Sequence, residues 1–298
     1  MDLGIDQINA MLRAGSVAGD PNATVEERRA GMATLMTAMP ALETGETSET
    51  TLAGRFALVH RPATAVEGKA MLYLHGGGYV IGSPDTHRGI VSHISDAMGA
   101  NAWSLDYRMG PEDPYPAAVD DTVAAYRDLL ETHAPDNIVI IGDSAGGGLA
   151  LASAMKARDS GLPMPAGLVL LSPWTNLNQT GASYDTKAEA DLVCTREGLD
   201  WYVAHYVGTG GNTDDPYVSP AYGDFTGLPP ILVQVGSAEV LYSDSMAVVE
   251  RAGAADVAVT LECWPDMPHV FQSFYPFLAD SRAAIARIGA WGAAQLNR

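Results

Sequence analysis

The sequence predicts an α/β protein built on a mostly parallel sheet with helices on both faces. Short apolar runs recur along the chain, among them AMLYL at 70–74, GLVLL at 167–171 and ILVQV at 231–235. Apolar runs of that length, bounded by turn residues, are buried strands. Segments of helical periodicity separate them, and strand–helix alternation with short loops implies parallel pairing. With 298 residues and 47% hydrophobic content, the chain suits one such domain with an elaboration, or two small domains.

Residues 1–45 read as helical. Ile5, Ile8, Met11 and Leu12 recur at helical spacing, and a second helix is expected over 25–39. Glu26 and Glu27 lie near its start and Pro40 ends it. Alternation over 51–60 reads as one strand. A buried strand at 70–74, a helix at 85–98, a strand at 102–107 and a helix at 116–130 follow. After the strand and helix around Ser144 come strands at 167–171, 231–235 and 257–263, then a closing amphipathic helix at 280–295. Residues 176–224 break the rhythm with one or two helices at 186–206 and a loop rich in Gly, Asn, Thr and Asp. We read them as an insertion above the sheet. With residues 1–45 they would form a helical cap over a core of 46–175 plus 225–298, and such caps make water-excluding pockets.

Charge narrows the partners. The chain carries 36 acidic and 17 basic residues, a formal charge of -19. That disfavours nucleic acid and anionic membrane surfaces. No apolar run approaches the ~18 residues of a membrane span. The N-terminus has acids early and no basic stretch leading into an apolar one. Cys194 and Cys263 form no disulfide framework and no metal-ligand spacing. They are expected to be reduced, buried thiols of a cytoplasmic protein, and no cofactor is expected.

The most informative stretch is IVIIGDSAGGGL at 138–149. A β-branched run stops at Gly142, and an Ala-rich helical pattern begins past Gly146, with Ser144 between them. A G-x-S-x-G on a strand–turn–helix is a nucleophile elbow, in which the positions flanking the strained serine must be small. A bare G-x-S-x-G also arises by chance, and here the flanking pattern argues against that. A phosphate loop is the other reading, but Gly148 stands where its lysine is needed.

A nucleophilic serine needs a base, an orienting acid and donors for an oxyanion. On an elbow of this kind the acid and then the histidine follow the serine. Only His205 and His269 lie beyond Ser144. His205 falls in the insertion, in WYVAHYV, where a wall or core role fits it. His269 follows the last strand and is the candidate base. Past the strand at 231–235, Glu239 is the first acid; Asp244 competes but falls where a helix is expected to have begun. The run His75, Gly76, Gly77, Gly78 after a buried strand is a loop that can turn backbone N–H groups toward a substrate oxygen. Gly77, Gly78 and Ala145 are the candidate donors, with His75 and Gly76 as supporting loop residues.

At this point the chain resembles the bacterial hormone-sensitive lipase-like esterases, the HGGG group of α/β-hydrolases. The resemblance spans nearly the whole chain through HGGGYVIGS (75–83), YRMGPEDPYPAAVDD (107–121), GDSAGGGLA (142–150), LSPWTNL (171–177), VGSAEVLYSDS (235–245) and DMPHVFQSF (266–274). It implies an eight-stranded sheet, a helical cap, and hydrolysis of small-molecule carboxylesters without metal. It also implies frequent homodimers through an edge strand, here 257–263. Carried over residue by residue, it makes Ser144, Glu239 and His269 a catalytic triad. Many members have aspartate where this chain has Glu239, and others have glutamate. A histidine often stands where this chain has Asp113.

Three other activities compete. The same triad would serve amide or carbamate cleavage. Plant gibberellin receptors resemble this family but lack the catalytic histidine, which His269 supplies here. A lipase acting on long chains is disfavoured because no long apolar lid is evident. Short- to medium-chain acyl esters fit better, with Trp174, Trp201 and Tyr202 as candidate pocket walls.

Overall fold

The computed structural model describes residues 2–14, 22–37, 39–208 and 210–297. Two helices lead, α1 (Ile5–Ala14) and α2 (Val25–Met36). α2 opens on a capping box. The Thr24 hydroxyl accepts the Glu27 N–H, and the Glu27 carboxylate accepts the Thr24 N–H. Two backbone donors near the helix start are thereby satisfied.

The core begins with a hairpin of β1 (Glu46–Leu52) and β2 (Arg55–Arg61). The single strand expected over 51–60 is therefore two. The chain reverses at Ala53 and Gly54, with φ of 49° and 79°. Two successive positive φ values match the right-handed twist of a hairpin. A turn of two residues interrupts the alternation too briefly to be seen in the sequence.

The remaining elements are β3 (Ala70–Leu74), α3 (Arg88–Met98), β4 (Asn101–Leu105), α4 (Ala117–Leu130), β5 (Ile138–Asp143), α5 (Ala145–Asp159), β6 (Gly167–Leu171), α6 (Ser183–Thr186), α7 (Arg196–Tyr206), β7 (Ile231–Gly236), α8 (Tyr242–Ala254), β8 (Val259–Trp264) and α9 (Ala279–Leu296). α3 starts three residues later than expected. Ser83 and Thr86 exchange backbone-to-hydroxyl hydrogen bonds in a turn that precedes it.

The eight strands lie in the order β1-β2-β4-β3-β5-β6-β7-β8. Pairing is antiparallel through β1, β2 and β4 and parallel from β4 to β8. Every residue of β3, β5, β6 and β7 is buried. Side chains alternate between two cores. Leu72, Ile140, Leu168 and Val233 join the face shared with α4, α5 and α8. Met71, Tyr73, Ile141, Val169 and Leu232 join the face shared with α3 and α9. Among the described residues β8 pairs only with β7, and it forms one edge.

The thiols depart from expectation. Cys194 and Cys263 are free, but Cys263 is exposed and Cys194 only half-buried. Alternation on a half-covered edge strand turns Cys263 outward.

α2 and residues 176–224 touch loops that follow strands. On α2, Arg29 forks onto Glu112 with two contacts of 2.7 Å and donates to the carbonyls of Val80 (2.9 Å) and Gly110 (3.1 Å). In the insertion, one Asp191 oxygen accepts the N–H groups of Val193 and Cys194, and the other accepts that of Val240 at 2.8 Å.

Candidate active site

Ser144 sits between β5 and α5 at φ 55° and ψ -122°. This is a strained conformation for a residue with a side chain. The turn closes because its flanks are bare: a Cβ on Gly146 would lie 2.0 Å from the Leu74 carbonyl oxygen, and one on Gly142 would lie 2.1 Å from that of Gly146. The Ser144 N–H donates to Leu171 O at 2.8 Å, which anchors the turn to β6.

Three loops meet there. His269, after β8, places Nε2 2.9 Å from Ser144 Oγ. Its Nδ1 lies 2.8 Å from Oε2 of Glu239, which follows β7. A carboxylate at Nδ1 fixes the proton there and leaves the Nε2 lone pair for the serine hydroxyl. Glu239 is fully buried, and its other oxygen accepts from Ser172 Oγ and Gly236 N, both at 2.6 Å. Burial pushes the Glu239 carboxyl above its ordinary range, against the hydrogen bonds to it. Burial also disfavours the His269 cation. The Cys194 side chain against the ring and the Glu239 carboxylate outweigh that, so the imidazole titrates above its ordinary range.

The glycine loop lies alongside. Gly77 and Gly78 have φ of 113° and 62°, values that suit residues without Cβ. A Cβ on Gly78 would lie 2.4 Å from the Tyr202 ring, so α7 packs directly on this loop. Gly76 donates its N–H to Asp143 Oδ1 at 3.0 Å, and the same oxygen accepts the Tyr73 hydroxyl at 2.8 Å. His75 is fully buried, with Nδ1 2.8 Å from Gly76 O and its ring stacked on Tyr107 at 4.3 Å. Burial, reinforced by nearby His87, lowers its pKa to about 3. It is neutral near pH 7 and suited to bracing the loop. Ala145 opens α5, so its N–H is one of the helix's unpaired first-turn donors.

The structure brings Ser144, Glu239 and His269 into one hydrogen-bonded chain and leaves the competitors apart from it. His205 Nδ1 lies 2.7 Å from Trp201 O within α7. Asp244 lies in the first turn of α8. Its Oδ2 accepts the N–H groups of Thr175 and Asn176, both at 2.8 Å, and its Oδ1 accepts the Tyr184 hydroxyl at 2.9 Å. Burial raises its pKa to about 7. It serves the loop after β6. Trp174 is buried in the core, and Trp201 stacks under the Arg28 guanidinium at 4.3 Å.

Sequence reasoning missed Ser172, Asp143 and Cys194. Asp143 sits in the elbow motif itself and Ser172 in LSPW, but no spacing rule gives either a role. No helix among the described residues is long and apolar enough to cross a membrane.

A family model described as an alpha/beta hydrolase fold matches residues 71–273. An acetyl-hydrolase of Streptomyces hygroscopicus is 46% identical over 78% of this chain and 77% of its own length. An esterase of Acinetobacter venetianus is 36% identical over 76% of this chain and 75% of its own. Among solved structures, an esterase from the bacterial hormone-sensitive lipase family superposes with a TM-score of 0.95 at 42% identity, covering 99% of this chain and 100% of that one. An eight-stranded, mostly parallel sheet with a serine elbow defines a hydrolase class, and the chain belongs to the α/β-hydrolase family, in its bacterial hormone-sensitive lipase group.

Proposed function

We propose that the protein is a serine carboxylesterase acting on short- to medium-chain acyl esters of small molecules. The observation that carries this reading is the chain Glu239–His269–Ser144, with links of 2.8 and 2.9 Å. Ser144 is the nucleophile, His269 the general base and Glu239 the acid that orients it. As Ser144 attacks the ester carbonyl, His269 Nε2 takes the hydroxyl proton and Glu239 stabilises the imidazolium. The N–H groups of Gly77, Gly78 and Ala145 receive the developing oxyanion, each worth roughly 3–4 kcal/mol in sites of this kind. His269 then protonates the leaving alcohol, and water repeats the sequence on the acyl-enzyme.

The Tyr202 ring against Gly78 limits the room beside the oxyanion loop, which favours small acyl groups. The described parts of residues 1–45 and 176–224 act as the cap over the described core of 46–175 plus 225–298. The free edge at 257–263 is the surface we assign to a homodimer, because an unpaired strand edge is a template for a second chain. We place the protein in the cytoplasm.

The test is hydrolysis of p-nitrophenyl esters from acetyl to palmitoyl, with Ser144→Ala alongside. Fast turnover of short chains that declines with length and vanishes in the variant is the expected result. Turnover by a folded Ser144→Ala protein close to wild type would remove the assignment.

A further inference from the structure

Ser172 stands at the end of β6, fully buried, with φ 46°. Such an angle strains a residue with a side chain and persists only where its surroundings hold it. Its hydroxyl donates to Glu239 Oε1 at 2.6 Å and accepts the Val270 N–H at 3.2 Å. Val270 directly follows His269 and is itself held at φ 48°, a marked outlier for a β-branched residue. One hydroxyl therefore joins the acid loop after β7 to the base loop after β8, and both residues at its ends of the Val270 bond are in strained backbone. The Ser172 N–H donates to Gln234 O at 2.7 Å, which fixes the hydroxyl to the sheet.

We infer that Ser172 is a positioning residue of the active site, setting the Glu239 carboxylate and the His269 loop in one register. This rests on the esterase reading above. The hydroxyl does two things. It supplies a charge-assisted hydrogen bond to a carboxylate that no water reaches, and it orders the backbone that carries the base. Glu239 meets Ser172 and Gly236 with one oxygen while offering the other to His269.

The experiment compares Ser172→Gly and Ser172→Ala with wild type and with Ser144→Ala. Glycine removes the hydroxyl and relieves the strained φ, so Ser172→Gly is expected to fold even where Ser172→Ala does not. In Ser172→Gly, kcat falls about 10- to 100-fold, the range set by one hydrogen bond to a charged group, with KM little changed. A carboxylate that loses a donor becomes more basic, so the Glu239–His269 pair takes its proton at higher pH. The acidic limb of kcat/KM accordingly moves up. Wild-type kcat in Ser172→Gly, or a lower kcat with an unmoved limb, overturns the proposal. If Ser144→Ala is active, the esterase reading itself has failed; if it is inactive while Ser172→Gly behaves as wild type, only the role of Ser172 has.

Discussion

At Ser144 the decisive quantity is the space around a single atom. A Cβ on Gly146 would lie 2.0 Å from the Leu74 carbonyl oxygen, an overlap that turning a side chain cannot relieve, because the obstacle is backbone. Gly146→Ala should lose roughly 1–3 kcal/mol or more of stability and most of its activity, read by thermal melts and ester turnover. Protonation of His269 is the second residue-scale control. In the mechanism proposed above, His269 must be neutral to accept the serine proton, and its pKa lies above the ordinary 6.5. The acidic limb of kcat/KM is therefore expected above pH 6.5, and a pH–rate profile with a limb below that value contradicts it. The elbow glycines, Ser144 and His269 were legible in the sequence because G-x-S-x-G and the order of elements after it constrain them locally. Ser172 was not. Its partners are Glu239 and Val270, 67 and 98 residues away, and no local pattern records a φ of 46°.

At the element scale, apolar runs identified β3, β5, β6 and β7, since a strand covered on both faces has little choice but to be apolar throughout. The β1–β2 hairpin was misread as one strand, because only Ala53 and Gly54 separate two alternating segments. α7 could be found as a helix, but its seat could not. That Tyr202 packs on Gly78 follows from long-range contact alone. α2 offers a separable test. Arg29 binds Glu112 and the carbonyls of Val80 and Gly110, and Val80 belongs to the loop that carries Gly77 and Gly78. The Arg29 and Glu112 side chains are 31% and 53% exposed, so Arg29→Ala should cost no more than about 1 kcal/mol in stability. Its larger effect is expected on turnover, as the loop loosens. Stability comparable to wild type with lowered kcat/KM is the outcome to look for, and unchanged kcat/KM would detach α2 from the site.

For the whole molecule, a formal charge of -19 imposes self-repulsion that added salt screens. The melting temperature is expected to rise as sodium chloride is increased from low concentration, and a flat or falling response would count against this. The open edge at β8 and the hairpin at the opposite end leave the sheet with unlike margins. Sedimentation at varied concentration should show a dimer that Thr260→Lys, at an exposed position of β8, weakens, and a monomer at every concentration would count against the assigned interface. Ser144 and His269 are 125 residues apart, and the loops that carry Ser144, Glu239 and His269 leave three different strands. A chain that has formed its helices and the β3–β5 pair, but has not yet docked β7 and β8, holds Ser144 without His269 beside it. Contacts of such sequence separation form late and slowly. During refolding, recovery of helical signal should precede recovery of turnover, so that catalysis clocks the closing of the sheet.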